Sequence, residues 1–132
     1  MTKRDSVEWC NRGWYPVFYG FCPSEVAWDR QMKKMGIKGE PYPGDDGRMT
    51  CFKAGGNATV IVTITDGAEG THSLLEIVGL LVHEAVHVWQ EIQKHIGEDA
   101  PGSEVDAYSV QAIAQELLEA FDKTRGLPGV KA

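Results

Sequence analysis

The segment from Leu74 to about Ile96 constrains the fold of this chain more than any other. Its first half is apolar nearly all round, with Leu74, Leu75, Ile77, Val78, Leu80, Leu81 and Val82 leaving almost no polar face. A helix of that pattern is expected at the centre of the protein and buried. Its ends are marked too: Ser73 and Glu76 have the spacing of a capping box, and Gly97 suits a left-handed C-terminal cap. A turn through Glu98, Asp99, Ala100, Pro101 and Gly102 then leads to Ser103, which with Asp106 gives a second capping-type start. From there Val105, Tyr108, Ala112, Ile113, Leu117, Leu118 and Phe121 form a helical stripe that closes at Gly126 and Pro128.

Upstream, Met49 to Lys53 and Thr59 to Thr65 flank Gly55-Gly56-Asn57, and Val60, Val62 and Ile64 alternate with Ile61, Thr63 and Thr65. Alternation, β-branching and a glycine turn predict a hairpin. The glycine- and proline-rich stretch 36–48 reads as a surface loop. Ser24, after Pro23, is placed to cap a helix over Glu25 to Met35 that carries Trp28, Met32 and Met35 at helical spacing. The aromatic segment from Trp9 to Phe21 is expected to cover the core rather than line a groove. The whole predicts a single α+β domain over residues 1–132, with a small β-hairpin or sheet packed on the buried helix and the helix that follows.

Charge narrows the partners. A net charge of -6, with lysines and arginines scattered rather than bunched, gives no footprint for a phosphate backbone, so nucleic acid is not an expected partner. No apolar run is long enough to span a bilayer and the first residues are polar, so a cytoplasmic protein with no membrane partner is expected. Cys10, Cys22 and Cys51 form an odd set without a C-x-x-C pair and are read as reduced thiols.

Within the central helix stands His83-Glu84-Ala85-Val86-His87. Residues four apart on a helix lie about 40° apart around the axis and about 6 Å apart along it, so both imidazoles can grip one ion. Two nitrogens at that spacing suit tetrahedral zinc, and Glu84, roughly 100° around from His83, lies beside the ion where a general base belongs. A random shuffle of this composition gives the pattern about once in a hundred tries. The apolar surroundings, Ile77 to Val82 with Ala85, Val86, Val88 and Trp89, therefore decide between a chance pair of core histidines and a metal site. Two imidazoles and a carboxylate set in that segment need a partner, and a metal supplies one.

A catalytic zinc takes a third protein ligand. His95 is too far along the same helix, and Glu98 and Asp99 fall where the chain has barely turned. Glu104, in the first turn of the next helix, is the expected ligand, with Asp106 the alternative; an acid complementing the helix dipole also accounts for Glu104. Tyr108 shares a face with Glu104 and is either an oxyanion donor or a core aromatic with a wet tip. His72 is read as a surface residue, or else a supporting donor.

These residues resemble the zincin metallopeptidases, specifically their glutamate-liganded branch: His83-Glu84-x-x-His87 on an apolar helix, a hairpin before it, a Glu on the next helix. Glu104-Val105-Asp106-Ala107-Tyr108, with Ala112 and Leu117-Leu118, is similar to the second helix of small bacterial and phage-associated metallopeptidases such as the ImmA/IrrE type. The resemblance spans about half the chain and departs from that type at Val110-Gln111 and in lacking a Leu-Leu-x-Pro ending. It implies a minimal zincin-like fold, a Zn2+ cofactor, a protein or peptide substrate, and hydrolysis by a zinc-bound water that Glu84 deprotonates. By the same analogy, an extended substrate would pair with the segment Thr59 to Thr65. A zinc-stabilised binding module, or a hydrolase of peptidoglycan amides, are the competing expectations.

Overall fold

A computed structural model describes residues 2–54, 57–98 and 100–129. Gly55 and Gly56 of the expected hairpin turn, and Asp99 of the turn between the last two helices, lie outside them. After a short 3-10 turn at Lys3–Asp5 come β1 (Glu8–Trp9), β2 (Val17–Cys22), α1 (Glu25–Lys34), β3 (Gly47–Ala54) and β4 (Asn57–Ile64). A single turn, α2 (Ala68–Thr71), precedes the long helices α3 (Leu74–Ile96) and α4 (Ser103–Thr124). This is the α+β arrangement expected, with one sheet of order β1-β2-β4-β3.

The hairpin forms, β3 running antiparallel to β4 with Cys51 opposite Val60. The aromatic segment does more than cover the core. It supplies β1 and β2, and β2 lies parallel to β4, with Tyr19 opposite Val60. Gly20 is needed where β1 crosses close over β2, because a Cβ there would sit 2.8 Å from the Trp9 ring and 2.9 Å from the Glu8 carbonyl oxygen. Tyr19 and Phe21 are buried, while Trp9, Trp14 and Phe18 stand exposed.

Alternation sorts the side chains of the sheet into two layers. Val17, Tyr19, Phe21, Val60, Val62 and Ile64 face α3 and α4, meeting Ile77, Leu81, Val88, Ile113, Leu117 and Phe121 in the main core. Ile61 and Cys22 face the other way, against Trp28 and Met32 of α1. Ser24 caps α1 as expected, accepting the Ala27 N–H at 3.1 Å. The loop 36–48 gives way to β3 at Gly47, and it is tied down: the Trp28 indole donates to the Glu40 carbonyl at 2.8 Å and the Tyr42 hydroxyl to that of Ile64 at 2.8 Å.

α3 begins and ends where its caps predict, with the reciprocal Ser73–Glu76 box and Gly97 at φ 74. It is not buried on every side. Leu75 is 80% exposed, and Val82 and Val86 are also open to solvent, because the sheet covers one flank of α3, α4 another, and no described element covers the third. α4 starts without a side-chain cap, its N-cap being Gly102. Asp106 has a different task from capping, described below.

One buried cation closes the fold. The Arg125 side chain, fully buried, donates to the carbonyls of Ile64 at 2.8 Å and Thr65 at 2.7 Å and pairs with Glu69, which Arg4 also meets at 3.2 Å. It joins the end of α4 to the end of β4 and to α2. Partial burial alone would raise the Glu69 carboxyl, but the hydrogen bonds from Arg125 and the backbone hold it at about 2. Arg125→Met leaves two carbonyls and a carboxylate without their donor, and a loss of about 3 kcal/mol is expected in urea unfolding. Since the Glu69 pKa is lowered on folding, its share of stability is present above the ordinary carboxylate pKa and is lost as pH falls from about 4.5 toward 2. Glu69→Gln should flatten the acid limb of the stability curve over that interval, measured by circular dichroism.

Candidate metal centre

His83, Glu84 and His87 stand on two consecutive turns of α3, and the rest of the fold decides what each faces. His83 and His87 are on the side that no other helix covers. Their rings meet edge to face with centroids 4.8 Å apart, and their Nε2 atoms are 3.2 Å apart. The far nitrogen of His87, Nδ1, is 3.1 Å from Gln90 Oε1. With Nδ1–H donating to that amide oxygen, the Nε2 lone pair of His87 would turn toward His83, where a shared ion would sit.

Glu84 is 4% exposed, lying under the start of β3, where a Cβ on Gly47 would come within 3.3 Å of its Oε2. A side chain at position 47 would crowd that carboxylate, which would have to give by a few tenths of an ångström. Glu84 makes no hydrogen bond to any described residue. Burial pushes its carboxyl above the ordinary value, and the neighbouring His83 and His87 offset this only in part.

The donor set can be tested against zinc. With Zn–N bonds of about 2.05 Å, adjacent corners of a tetrahedron are about 3.3 Å apart, and the two Nε2 atoms stand near that separation. They therefore fit two corners of one ion. No group of three His, Cys, Asp or Glu side chains able to hold a metal occurs among the described residues.

Glu104, the expected third ligand, is not brought to the histidines. The buried stripe of α4 runs through Ser109, Ile113, Leu117, Ala120 and Thr124, and Asp106 extends it. Glu104, two residues or about 200° from Asp106, points to the opposite side and is exposed. Asp106 does face α3, but its Oδ1 accepts the Trp89 indole N–H at 2.8 Å. Trp89 is itself about 160° around α3 from His87, so α4 packs on the far flank from the imidazoles. Tyr108, 67% exposed on the outer face of α4, is neither a core aromatic nor in the site.

What His83 and Glu84 face is a cleft of about 500 Å³ lined also by Asp46, Gly47, His72, Glu76, Gly79 and Leu80, with His87 one turn beyond its lining. His72 is thus a wall of the cleft, its Nε2 4.0 Å from Asp46 Oδ1, and not a plain surface residue. One roof edge is β3. The segment Thr59 to Thr65 falls largely in β4, which is paired on both sides, by β2 and β3, and has no free edge to offer a substrate. The strand with an open edge beside α3 is β3. Asp46, Gly47 and Gly79 were not foreseen as site residues; Gly79 carried a readable signal, being a glycine inside a long helix where no cap is needed.

No family model, no curated protein and no solved structure matches the chain, so the geometry alone carries the function.

Two stability outcomes follow from this arrangement. A Cβ at Gly79 meets nothing within 4 Å, so Gly79→Ala should stabilise the helix by about 0.5–1 kcal/mol while narrowing the cleft. Glu84→Gln removes an unpartnered buried charge, and the metal-free variant should unfold at a higher temperature than the wild type by calorimetry, equivalent to about 1–2 kcal/mol.

Proposed function

We propose that this chain is a zinc-dependent metallopeptidase whose reacting centre is His83, Glu84 and His87. The observation that carries the reading is the pairing of two Nε2 atoms 3.2 Å apart with a buried, unpartnered carboxylate at the wall of one cleft. His83 and His87 would hold the ion, and Gln90 keeps His87 in the tautomer whose Nε2 is free to do so. Zinc, when bound, polarises a substrate carbonyl and lowers the pKa of water toward about 7.

The protein's own share is proton transfer and positioning. Glu84, next to His83 and buried at the wall of the cleft, would accept the proton of the attacking water and return it to the departing amine nitrogen as the C–N bond breaks. Its raised pKa suits both halves of that cycle better than an ordinary surface carboxylate would. The open edge of β3 supplies backbone donors and acceptors for an extended peptide, in place of the segment Thr59 to Thr65. Specificity for a peptide over a peptidoglycan amide rests on that edge, since main-chain pairing requires a peptide backbone.

Thiol chemistry is disfavoured by the surroundings of the cysteines. All three are free, and burial pushes Cys10 and Cys22 up to about 12, far from a reactive thiolate. A structural zinc would need four protein ligands and a catalytic one three; the described residues bring two imidazoles together, which is nearer the open catalytic shell.

The reading predicts one zinc per chain by calorimetric titration, with affinity about 100-fold weaker in His83→Ala and in His87→Ala. Glu84→Gln should retain the fold and the zinc but lose about 10³-fold in peptide hydrolysis. Stoichiometric zinc with no turnover across broad peptide libraries would contradict it. A silent Glu84→Gln beside an unfolded His87→Ala would mark a zinc-stabilised binding module instead.

A further inference from the structure

The cleft that opens at Glu84 continues along α3 toward its N-terminus, and its chemistry changes on the way. Glu76 precedes His83 by seven residues, close to two turns, so it lies on the same side about 10 Å along the axis. One of its oxygens accepts the Ser73 N–H at 2.8 Å, which leaves the other for a ligand. Asp46 stands on the opposite wall, just before β3, its side chain 71% exposed. Among the described residues no lysine or arginine lines this cleft, and Arg48, the nearest in sequence, is occupied by Asp45 at 3.0 Å.

Two further observations point to an occupant. Glu84, 4% exposed and without a hydrogen-bond partner among the described residues, turns its Oε2 toward Gly47 in the same cleft, a buried carboxylate with acceptor capacity to spare. Gly79 between Glu76 and His83 leaves a trough, with nothing within 4 Å of where its Cβ would be, at the expense of helix stability. An acidic wall, an apolar flank at Leu80 and a trough of this kind match a long side chain with methylenes and a cationic head.

We infer that this end of the cleft is a subsite for a lysine or arginine side chain of the substrate, with Asp46 and Glu76 as its acidic partners. The substrate class, a peptide, rests on the function proposed above. An extended chain advances about 3.3 Å per residue, so the basic residue sits about three positions from the bond that is cut. The methylenes lie along Gly79 and Leu80 while the head group stays partly in water between the two carboxylates. Asp46 and Glu76 act on binding and not on the chemical step.

The test uses the full chain and two fluorescein-labelled blocked peptides that differ only in one lysine against norleucine. Binding is read by fluorescence anisotropy near pH 8, with a chelator present so that no peptide is cut. The lysine peptide should bind about fivefold more tightly than its norleucine counterpart. The double variant D46N/E76Q should remove the difference, and the glutamine oxygen still accepts the Ser73 N–H, so the helix cap survives. Equal affinities, binding of neither peptide, or a preference that persists in the folded double variant would each overturn the subsite. Cleavage is scored separately, with zinc, by mass spectrometry. A lysine preference without cleavage of either peptide supports the subsite and counts against the peptidase reading alone.

Discussion

Glu84 is a carboxylate 4% exposed, without a hydrogen-bond partner among the described residues, and holding such a group ionised away from bulk water is costly. Much of the surrounding architecture can be understood as what makes that burial possible. Gly47 spares the carboxylate a crowded contact, and β3 is held over α3 by its pairing with β4. β4, paired on both sides and buried along most of its length, is the rigid element on which β3 depends. A cation or a proton donor arriving in the cleft would offset that cost.

The same packing determines which flank of α3 is left for chemistry. The sheet takes one side and α4 another, secured by Trp89 against Asp106. The imidazoles remain on the uncovered side, where the cleft, the open edge of β3 and the acidic residues Asp46 and Glu76 all converge. Arg125 sits far from this chemistry in function, but it locks α4, β4 and α2 to one another and so keeps the three flanks of α3 distinct.

Local signals in the sequence were read well because their physics is local. The capping box at Ser73–Glu76, the Gly97 cap, the Ser24 cap and the hairpin depend on residues a few positions apart, and each is present. The convergence of His83 and His87 follows from helix geometry in the same way. The site's wider shape was less legible. The phase of α4 turns on whether Asp106 caps its own helix or reaches the Trp89 indole, and the tertiary contact prevailed, carrying Glu104 and Tyr108 outward. The pattern of β4 does not say whether a strand is at the edge, since pairing with β2 joins segments about forty residues apart, on the order of a long loop closure. An apolar surface on α3 looked like a buried one because hydropathy cannot reveal how many neighbours a helix will have.

The account rests on an ion held by two imidazoles with its remaining positions open to the cleft. X-ray absorption spectroscopy of the zinc-loaded chain tests this most directly, because it reads the ligand atoms themselves. The expected spectrum has a shell of nitrogen and oxygen scatterers at about 2.0–2.1 Å, with the multiple-scattering signature of two imidazole rings, both lost in the His83→Ala, His87→Ala double variant. A shell containing sulfur at about 2.3 Å, or an imidazole signature that survives the double variant, would place the metal elsewhere and contradict the account.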